Sequence, residues 1–311
     1  MTASDPNPNS VSSTISSTAL KPRAGAVVVL YHPEPDVLEN LRILAAQVDA
    51  LVIVDNGSSE RFQAALAPML NARVELIRHP QNLGIATGFN TGIRRLIELG
   101  CGFSLTFDQD SCVTEDFVAK ILNAFLEART LFPAVAVVAP QWKDENSGIV
   151  YDHELKPNSD FGLVKWTISS GNCIDNQVFK TVGYFDDGYF IDGVDLDFHL
   201  RCRKMGFCIL KTSRVSMSHR LGIQKRVRIF RFEFTISIHN RIRKYYIARN
   251  KINNMKNHGL FDPACILKDM WYLLGDVLTI VLYDDEKEEK LKLTFRGIRD
   301  GFQNIHGRLP T

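Results

Sequence analysis

The sequence predicts an α/β fold, a Rossmann-like sheet flanked by helices, with a basic helical extension at its C-terminal end. Three observations carry that expectation. From residue 24 onward, apolar β-branched runs alternate with helical segments, the runs are continuously apolar, and polar turns recur where each run ends. Continuous Val/Ile/Leu runs belong to strands covered on both faces, the habit of parallel sheets built from βαβ units. Ligands of such sheets bind beyond the carboxyl ends of the strands.

In chain order, AGAVVVLY is followed by a helix near 35–48, ALVIV by one near 59–70, VELI by one near 86–99, and FSLTF by one over 114–130. VAVVA (135–139) and a polar stretch to about 165 lead to WTISSGN (166–172), whose Gly, Ser and Asn indicate a turn lining a site. A further helix starts within YFIDGVDLDFHLRCRKMG, where Gly206 is a C-terminal stop. FCILK and RVSMSH close the sheet, and beyond about 222 the composition shifts to basic and aromatic helices. The organisation expected is a tail over 1–22, a catalytic domain over 23–222 and a helical region over 223–311.

Composition narrows the function classes. A chain of 311 residues with 45% hydrophobic content buries a substantial core, and a net charge of +2 gives no global argument for nucleic acid. Residues 1–22, rich in Ser, Thr, Pro and Asn, have no basic start and no apolar core, and read as a disordered tail. The apolar stretch 264–283 is interrupted by Lys268, Asp269 and Asp276, which argues against a membrane span. The six cysteines form no CxxC pair, so reduced thiols in a cytoplasmic compartment are expected, and His199 and Cys202 read as packing residues.

Several short motifs could carry chemistry. FDQDS (107–111) ends a strand with Asp108 and Asp110 on one face and Gln109 on the other. Two carboxylates one residue apart suit a divalent cation whose remaining positions go to water and phosphate oxygens, although for an isolated DxD, a short and common motif, a solvated turn is the better reading and context decides. VDNGSS (54–59) presents Asp55 and Asn56, as ordinary turn residues or as acceptors for the N–H of a pyrimidine base. HPQNLGIATGFNTG (79–92) carries Asn82, Gly84, Gly88, Asn90 and Gly92, where small residues would let a nucleotide approach; no GK[ST] follows, so it is not a P-loop. FIDGVDLDFHLR sets Asp192, Asp195 and Asp197 about a helix start, where they favour the dipole or where one serves as general base.

Taken together and in this order, VVVLYHP, VDNGSS, NLGIATGFN, DQDS, GYFDDGYFIDGVDLDFHLRCRKMG, SHRLG and YYIARN resemble the family 2 glycosyltransferases of the GT-A fold over about residues 24–250. FDQDS and FIDGVDLDFHLR with ISSGN are similar to bacterial L-rhamnosyltransferases of O-antigen, rhamnan and rhamnolipid synthesis. The resemblance implies that Asp55 holds the base, Asp108 the ribose region and Asp110 the metal, Mg²⁺ or Mn²⁺, with His219 of SHRLG reaching the metal or diphosphate. It also implies donor contacts from Tyr31, Asn56, Asn82, Gly84, Asn90 and Gln109, and acceptor contacts from Trp166, Ser170, Gly171 and Asp192. The family's base is the Asp of a Glu-Asp pair six residues before the helix Arg. Counted back from Arg201 that is Asp195, but Val194 precedes it, so Asp192 competes for the role.

Between 220 and 251 stand ten Lys or Arg and one acid, Glu233, among Phe230, Phe232, Phe234, Tyr245 and Tyr246. A solvated basic helix, a nucleic-acid patch, a diphosphate clamp and an anionic-lipid surface are the rival readings. With the resemblance supplying a diphosphate and a lipid-linked acceptor, a clamp with a membrane face is expected, Lys225 and Arg249 touching phosphate. The helix at 264–283 is then an in-plane anchor, a homodimer surface or plain core. The expectation is a cytoplasmic enzyme on the inner face of the membrane. It would transfer rhamnose from dTDP-β-L-rhamnose to a lipid-linked glycan or glycolipid, with inversion and without nucleic acid. A different nucleotide sugar, or a non-catalytic nucleotide-sugar or nucleic-acid binding module, is the alternative.

Overall fold

The computed structural model describes residues 22–144, 148, 150–151, 155–156, 158–219, 224–229, 232–237, 239–284 and 286–309; all but the last residue of the expected tail over 1–22 lies outside them. The first half alternates as the apolar runs predict: β1 (Ala24–Leu30), α1 (Val37–Ala45), β2 (Ala50–Asp55), α2 (Glu60–Leu66), β3 (Val74–Arg78), α3 (Ile85–Glu98) and β4 (Phe103–Asp108). There follow β5 (Ser111–Cys112), α4 (Phe117–Leu131), β6 (Val135–Asp144), β7 (Val150–Tyr151), β8 (Phe161–Val164), β9 (Asn172–Asp175), α5 (Val178–Val182), α6 (Val194–Lys204) and β10 (Cys208–His219). The chain ends with β11 (Gln224–Ile229), β12 (Phe232–Ser237), α7 (Arg241–His258), α8 (Pro263–Tyr283) and α9 (Lys287–Phe302).

Along the main sheet the order is β3-β2-β1-β4-β9-β6-β10-β5, with β7 beside β6 and β8 beside β10. β3, β2, β1 and β4 are parallel, which brings their carboxyl ends to one edge. β9 enters antiparallel between β4 and β6, making the sheet mixed. Burial on both faces follows from the period of two. Ala24, Ala26, Val28 and Leu30 of β1 join the core under α1 and α4, while Val27 and Val29 join the core under α3 and α6.

The glycines of the 79–92 stretch serve this packing, a correction to their reading as space for a nucleotide. A Cβ on Gly88 would stand 2.7 Å from Val29 Cγ1, and one on Gly92 would overlap Val27 Cγ2. Spaced four apart, they let α3 lie close on β1. Gly92→Val is expected to cost about 1–3 kcal/mol or more by overpacking, read as a lowered denaturation midpoint with an unchanged slope.

A second correction concerns the region beyond 222, which opens with an antiparallel hairpin, β11 against β12, before the helices begin. In α7 the cations find acidic partners within the chain, Lys244 and Lys251 turning inward and Arg241 and Arg243 staying partly exposed. Arg243 pairs with Asp192, Lys244 with Asp276 at 2.8 Å and Lys251 with Asp269 at 2.5 Å, and Arg241 pairs with Glu289. Among the described residues no helix is long and apolar enough to cross a membrane.

Candidate active site

The site lies at the carboxyl edge of β1, β2 and β4, roofed by the N-terminal ends of α6 and α7. Its floor is set by the turn after β4. Ser170 Oγ accepts the Asp108 N–H at 3.1 Å and meets Ser111 Oγ at 2.6 Å, and Gly171 N–H donates to Thr106 O at 2.7 Å. Gly171 has φ +80°, and a Cβ there would collide with Met217 Sδ at 2.5 Å, so this turn requires glycine. Ser170 is 1% exposed. Both residues therefore hold the DQDS turn from beneath, a correction to their expected role at the acceptor; Trp166, of the same segment, is exposed. Gln109 likewise positions, its Oε1 accepting the Tyr31 N–H at 2.8 Å, while the Tyr31 ring stands 48% exposed at the end of β1.

At the end of β2, Asp55 Oδ1 accepts from Ser58 N–H at 2.7 Å and Oδ2 from Gln63 Nε2 at 2.8 Å. Each carboxylate oxygen has two lone pairs, so accepting capacity remains for a base N–H. Asn56 differs. Its amide donates to Gly84 O at 2.9 Å and its oxygen meets His79 Nδ1 at 2.7 Å, so it ties β2 to the 79–84 loop at 2% exposure. Burial holds His79 below the usual histidine range, against the pull of Asp55. Asn82 Oδ1 caps the Gly84 N–H at 2.8 Å. Gly84, with φ +92°, abuts Phe190 so closely that a Cβ would reach its carbonyl oxygen at 2.5 Å. Asn90 is fully buried, bonded to both backbone groups of Phe185 and to Asp187. Asn56 and Asn90 are thus scaffold, not donor contacts.

The loop 188–193, which leads into α6, is bent hard. Phe190, Asp192 and Gly193 all have positive φ, 63°, 64° and 74°. Each such non-glycine residue costs on the order of 1–3 kcal/mol and persists only where its surroundings over-determine it. Helix α7 supplies that restraint. Asn250 Nδ2 donates to Tyr189 O, Ile191 O and Asp192 O at 2.8, 2.8 and 2.7 Å. Arg249 Nη2 donates to Gly188 O and Tyr189 O at 2.9 and 2.8 Å. Arg249 is 0% exposed, and burial lowers its pKa. Its guanidinium is enclosed by backbone carbonyls, so it clamps the loop rather than a phosphate, a correction to its expected role.

Asp192 and Asp195 are told apart by their partners. Asp192 receives Arg243 on both oxygens, at 2.9–3.2 Å. Asp195 forms no salt bridge among the described residues, and burial pushes its pKa up to about 7, with the nearby charges of Asp108 and Asp192 acting in the same direction against the Leu196 N–H. It keeps partial solvent access while protein surrounds it, the setting of a cleft floor. A carboxyl group poised near neutrality is the state a general base needs. Asp197 points away: burial raises it, but His258 and Arg201, each at 2.8 Å, outweigh that and hold it low. His199 and Cys202 are buried in the packing of α6, as expected.

Arg243 is the residue that sequence reasoning passed over. Burial opposes its charge, but Asp192, Asp108 and Asp110 outweigh burial and raise its pKa. One guanidinium therefore faces Asp108, Asp110 and Asp192, and Asp195 senses two of the same carboxylates. His219 pairs in backbone register with Ser111, one residue beyond Asp110, so the strand order brings Ser218 and His219 alongside the end of DQDS; the side chain of His219, and that of Lys225 on β11, lie outside the described residues. No group of three His, Cys, Asp or Glu at ligating spacing occurs among the described residues.

The family profile described as "Glycosyl transferase family 2" matches residues 26–183. A dTDP-rhamnosyl transferase of Shigella flexneri, RfbF, is 29% identical over 301 residues, covering 91% of this chain and 96% of that protein. A low-salt glycan biosynthesis hexosyltransferase of Haloferax volcanii, Agl10, is 21% identical over 91% of this chain and 92% of its own. Among solved structures, S. aureus TarS 1–349 in complex with UDP-GlcNAc superposes with a TM-score of 0.63 at 15% identity, over 91% of this chain and 81% of that one. GalNAc-T7 with UDP, GalNAc and Mn²⁺ gives 0.55 at 13% identity, over 92% and 57%. The profile spans half the chain and the fold matches these structures: the protein belongs to glycosyl transferase family 2, a glycosyltransferase of the GT-A fold.

Proposed function

We propose that the enzyme transfers L-rhamnose from dTDP-β-L-rhamnose to a hydroxyl of a lipid-linked glycan or glycolipid, with inversion at the anomeric carbon. The donor is supported by the full-length similarity to a dTDP-rhamnosyl transferase. The observation that carries the mechanism is the Asp195 carboxyl, raised to about 7 beside Asp108 and Asp192, without a salt bridge among the described residues. In a single displacement Asp195 removes the acceptor proton as the sugar passes through an oxocarbenium-like state. Arg243, which pairs with Asp192 and interacts with Asp108 and Asp110, is positioned to meet the negative charge that develops on the departing diphosphate.

A divalent cation fits this site. Asp108, Asp110, Asp192 and Asp195 outnumber Arg243, and a hard cation needs only one or two carboxylates when phosphate and water supply the rest. Asp110, with His219 brought alongside by strand register, would hold Mg²⁺ or Mn²⁺, which when bound would neutralise charge on the leaving diphosphate. Asp55, with free accepting capacity, would take the imide N–H that thymine and uracil share, and Tyr31 at the open end of β1 would lie against the base.

Melting-temperature shifts with dTDP and UDP, each with and without Mn²⁺, test this on the wild type and on Asp110→Ala. Metal-dependent stabilisation by dTDP, lost in the variant, is the expected result. Stabilisation by UDP alone would move the donor to a UDP-sugar. No shift with either nucleotide at saturation would remove the donor site as assigned.

A further inference from the structure

Helix α8 is amphipathic the wrong way round for a solvent-facing helix. Its acids point inward, Asp269 to Lys251 and Asp276 to Lys244, beside the buried Ile266, Leu273 and Ile280. Its outward face carries Leu267, Trp271, Leu274, Leu278, Val281 and Leu282, exposed at 70, 71, 50, 52, 44 and 56%. The first five stand at steps of four, three, four and three, the 3.5-residue repeat that keeps an apolar seam facing a second helix. A core helix would bury this face, which corrects the plain-core reading.

Gly275 lies in the middle of the same face, with nothing within 4 Å of where its Cβ would be. A glycine inside a helix costs about 1 kcal/mol relative to alanine, and no contact within this chain requires one. A close-approaching helix would. The flanking charge further limits the occupant. Lys268 is the only charged residue among the exposed positions of α8, and the run that follows its C-terminal end, Glu286, Lys287, Glu288 and Glu289, all exposed, is net negative. A helix lying on an anionic bilayer carries Lys or Arg at its margins instead.

We propose that this face packs against the same face of a second copy of the chain, two antiparallel α8 helices meeting about a two-fold axis between Leu274 and Gly275. In that register Gly275 receives the partner's Leu274, Trp271 meets the partner's Leu278, and Leu267 meets the partner's Leu282. The pairing is isologous, so each contact occurs twice. Lys268 then stands opposite the partner's Val281, near the C-terminal end of the partner helix, where a cation is favoured, and the two helix dipoles oppose. The inference is independent of the donor assignment.

Sedimentation velocity of the full chain at tens of micromolar tests it, with wild type, Leu274→Glu and Gly275→Cys. The wild type should sediment at twice its 35.1 kDa chain mass. Leu274→Glu, altering a half-exposed side chain, should sediment as a monomer with an unchanged melting temperature in dilute solution. Gly275→Cys should form a reducible cross-linked dimer under mild oxidation where the wild type does not. A monomeric wild type overturns the proposal, as does a dimer that survives Leu274→Glu. A monomer that pelts with phosphatidylglycerol vesicles, and loses that binding in Leu274→Glu, would assign the face to lipid.

Discussion

Asp195→Asn is expected to lose transfer by roughly 10²- to 10⁴-fold, the contribution of a positioned general base, while donor and metal binding stay intact. The amide is isosteric, and its oxygen can still accept the Leu196 N–H that Asp195 Oδ1 accepts at 2.9 Å, so the start of α6 is preserved. The same substitution has an opposite effect on stability. The folded-state pKa of Asp195 is raised from 3.8 to about 7, so the folded state holds this proton more tightly than the unfolded chain. That stability is complete below about pH 4 and is lost as pH rises through about 7. Three pKa units correspond to at most about 4 kcal/mol. Without nucleotide and metal, the variant should therefore melt above the wild type at pH 8.5, and the two should converge near pH 4. An equal difference at both pH values would mean that Asp195 titrates normally. In the enzyme's pH profile, kcat/KM should rise with pH as Asp195 loses its proton, and a bound cation should lower that limb.

Asn250 carries the second large effect, from a position remote in sequence from the base. Asn250→Ala leaves Ile191 O and Asp192 O, both part-buried, without the Asn250 donor, at the lower end of the about 1–3 kcal/mol that an unsatisfied buried acceptor costs. It also releases a loop with three departures from ordinary φ within four residues, Phe190, Asp192 and Gly193, close to Asp195. A misplacement of about 1 Å at a reacting group can cost on the order of 10²-fold, so turnover should fall by that order together with a lowered melting temperature. Asn250→Asp is the sharper variant. It keeps the volume but replaces two N–H donors by acceptors aimed at carbonyl oxygens, and it should be worse than alanine. Wild-type turnover in the Asp variant would mean that the 188–193 loop does not depend on α7.

Much of this arrangement was legible in the sequence. The continuous apolar runs of β1, β2 and β4 placed the carboxyl edge, and with it Asp55, Asp108 and Asp110, because strand alternation is local. Counting back from Arg201 by the family's spacing pointed to Asp195, with Asp192 left as a competitor. What escaped was long-range partnership. Nothing local says that Arg243 will close on Asp192, or that Asp269 and Asp276 will face Lys251 and Lys244 and so turn the apolar side of α8 outward. Asn56, Asn90 and Arg249 were read as ligand contacts because polar residues in glycine-rich or basic stretches look available. Buried turns with unmatched carbonyls and amides claimed them instead. The hairpin could have been seen: Phe232, Phe234 and Ile236 alternate with Glu233, Thr235 and Ser237, a period of two obscured by the basic composition around it.

The central claim, that Asp195 and not Asp192 removes the acceptor proton, is tested most directly by one kinetic comparison. Release of dTDP from dTDP-β-L-rhamnose would be followed with Mn²⁺ and acceptor for wild type, Asp195→Asn and Asp192→Asn, alongside donor affinity for each. The account predicts that Asp195→Asn binds donor normally and turns over at least about 10²-fold more slowly, whereas Asp192→Asn, which loses charge pairing with Arg243, retains the larger share of turnover. Near-normal turnover by Asp195→Asn, with Asp192→Asn inactive, would contradict it.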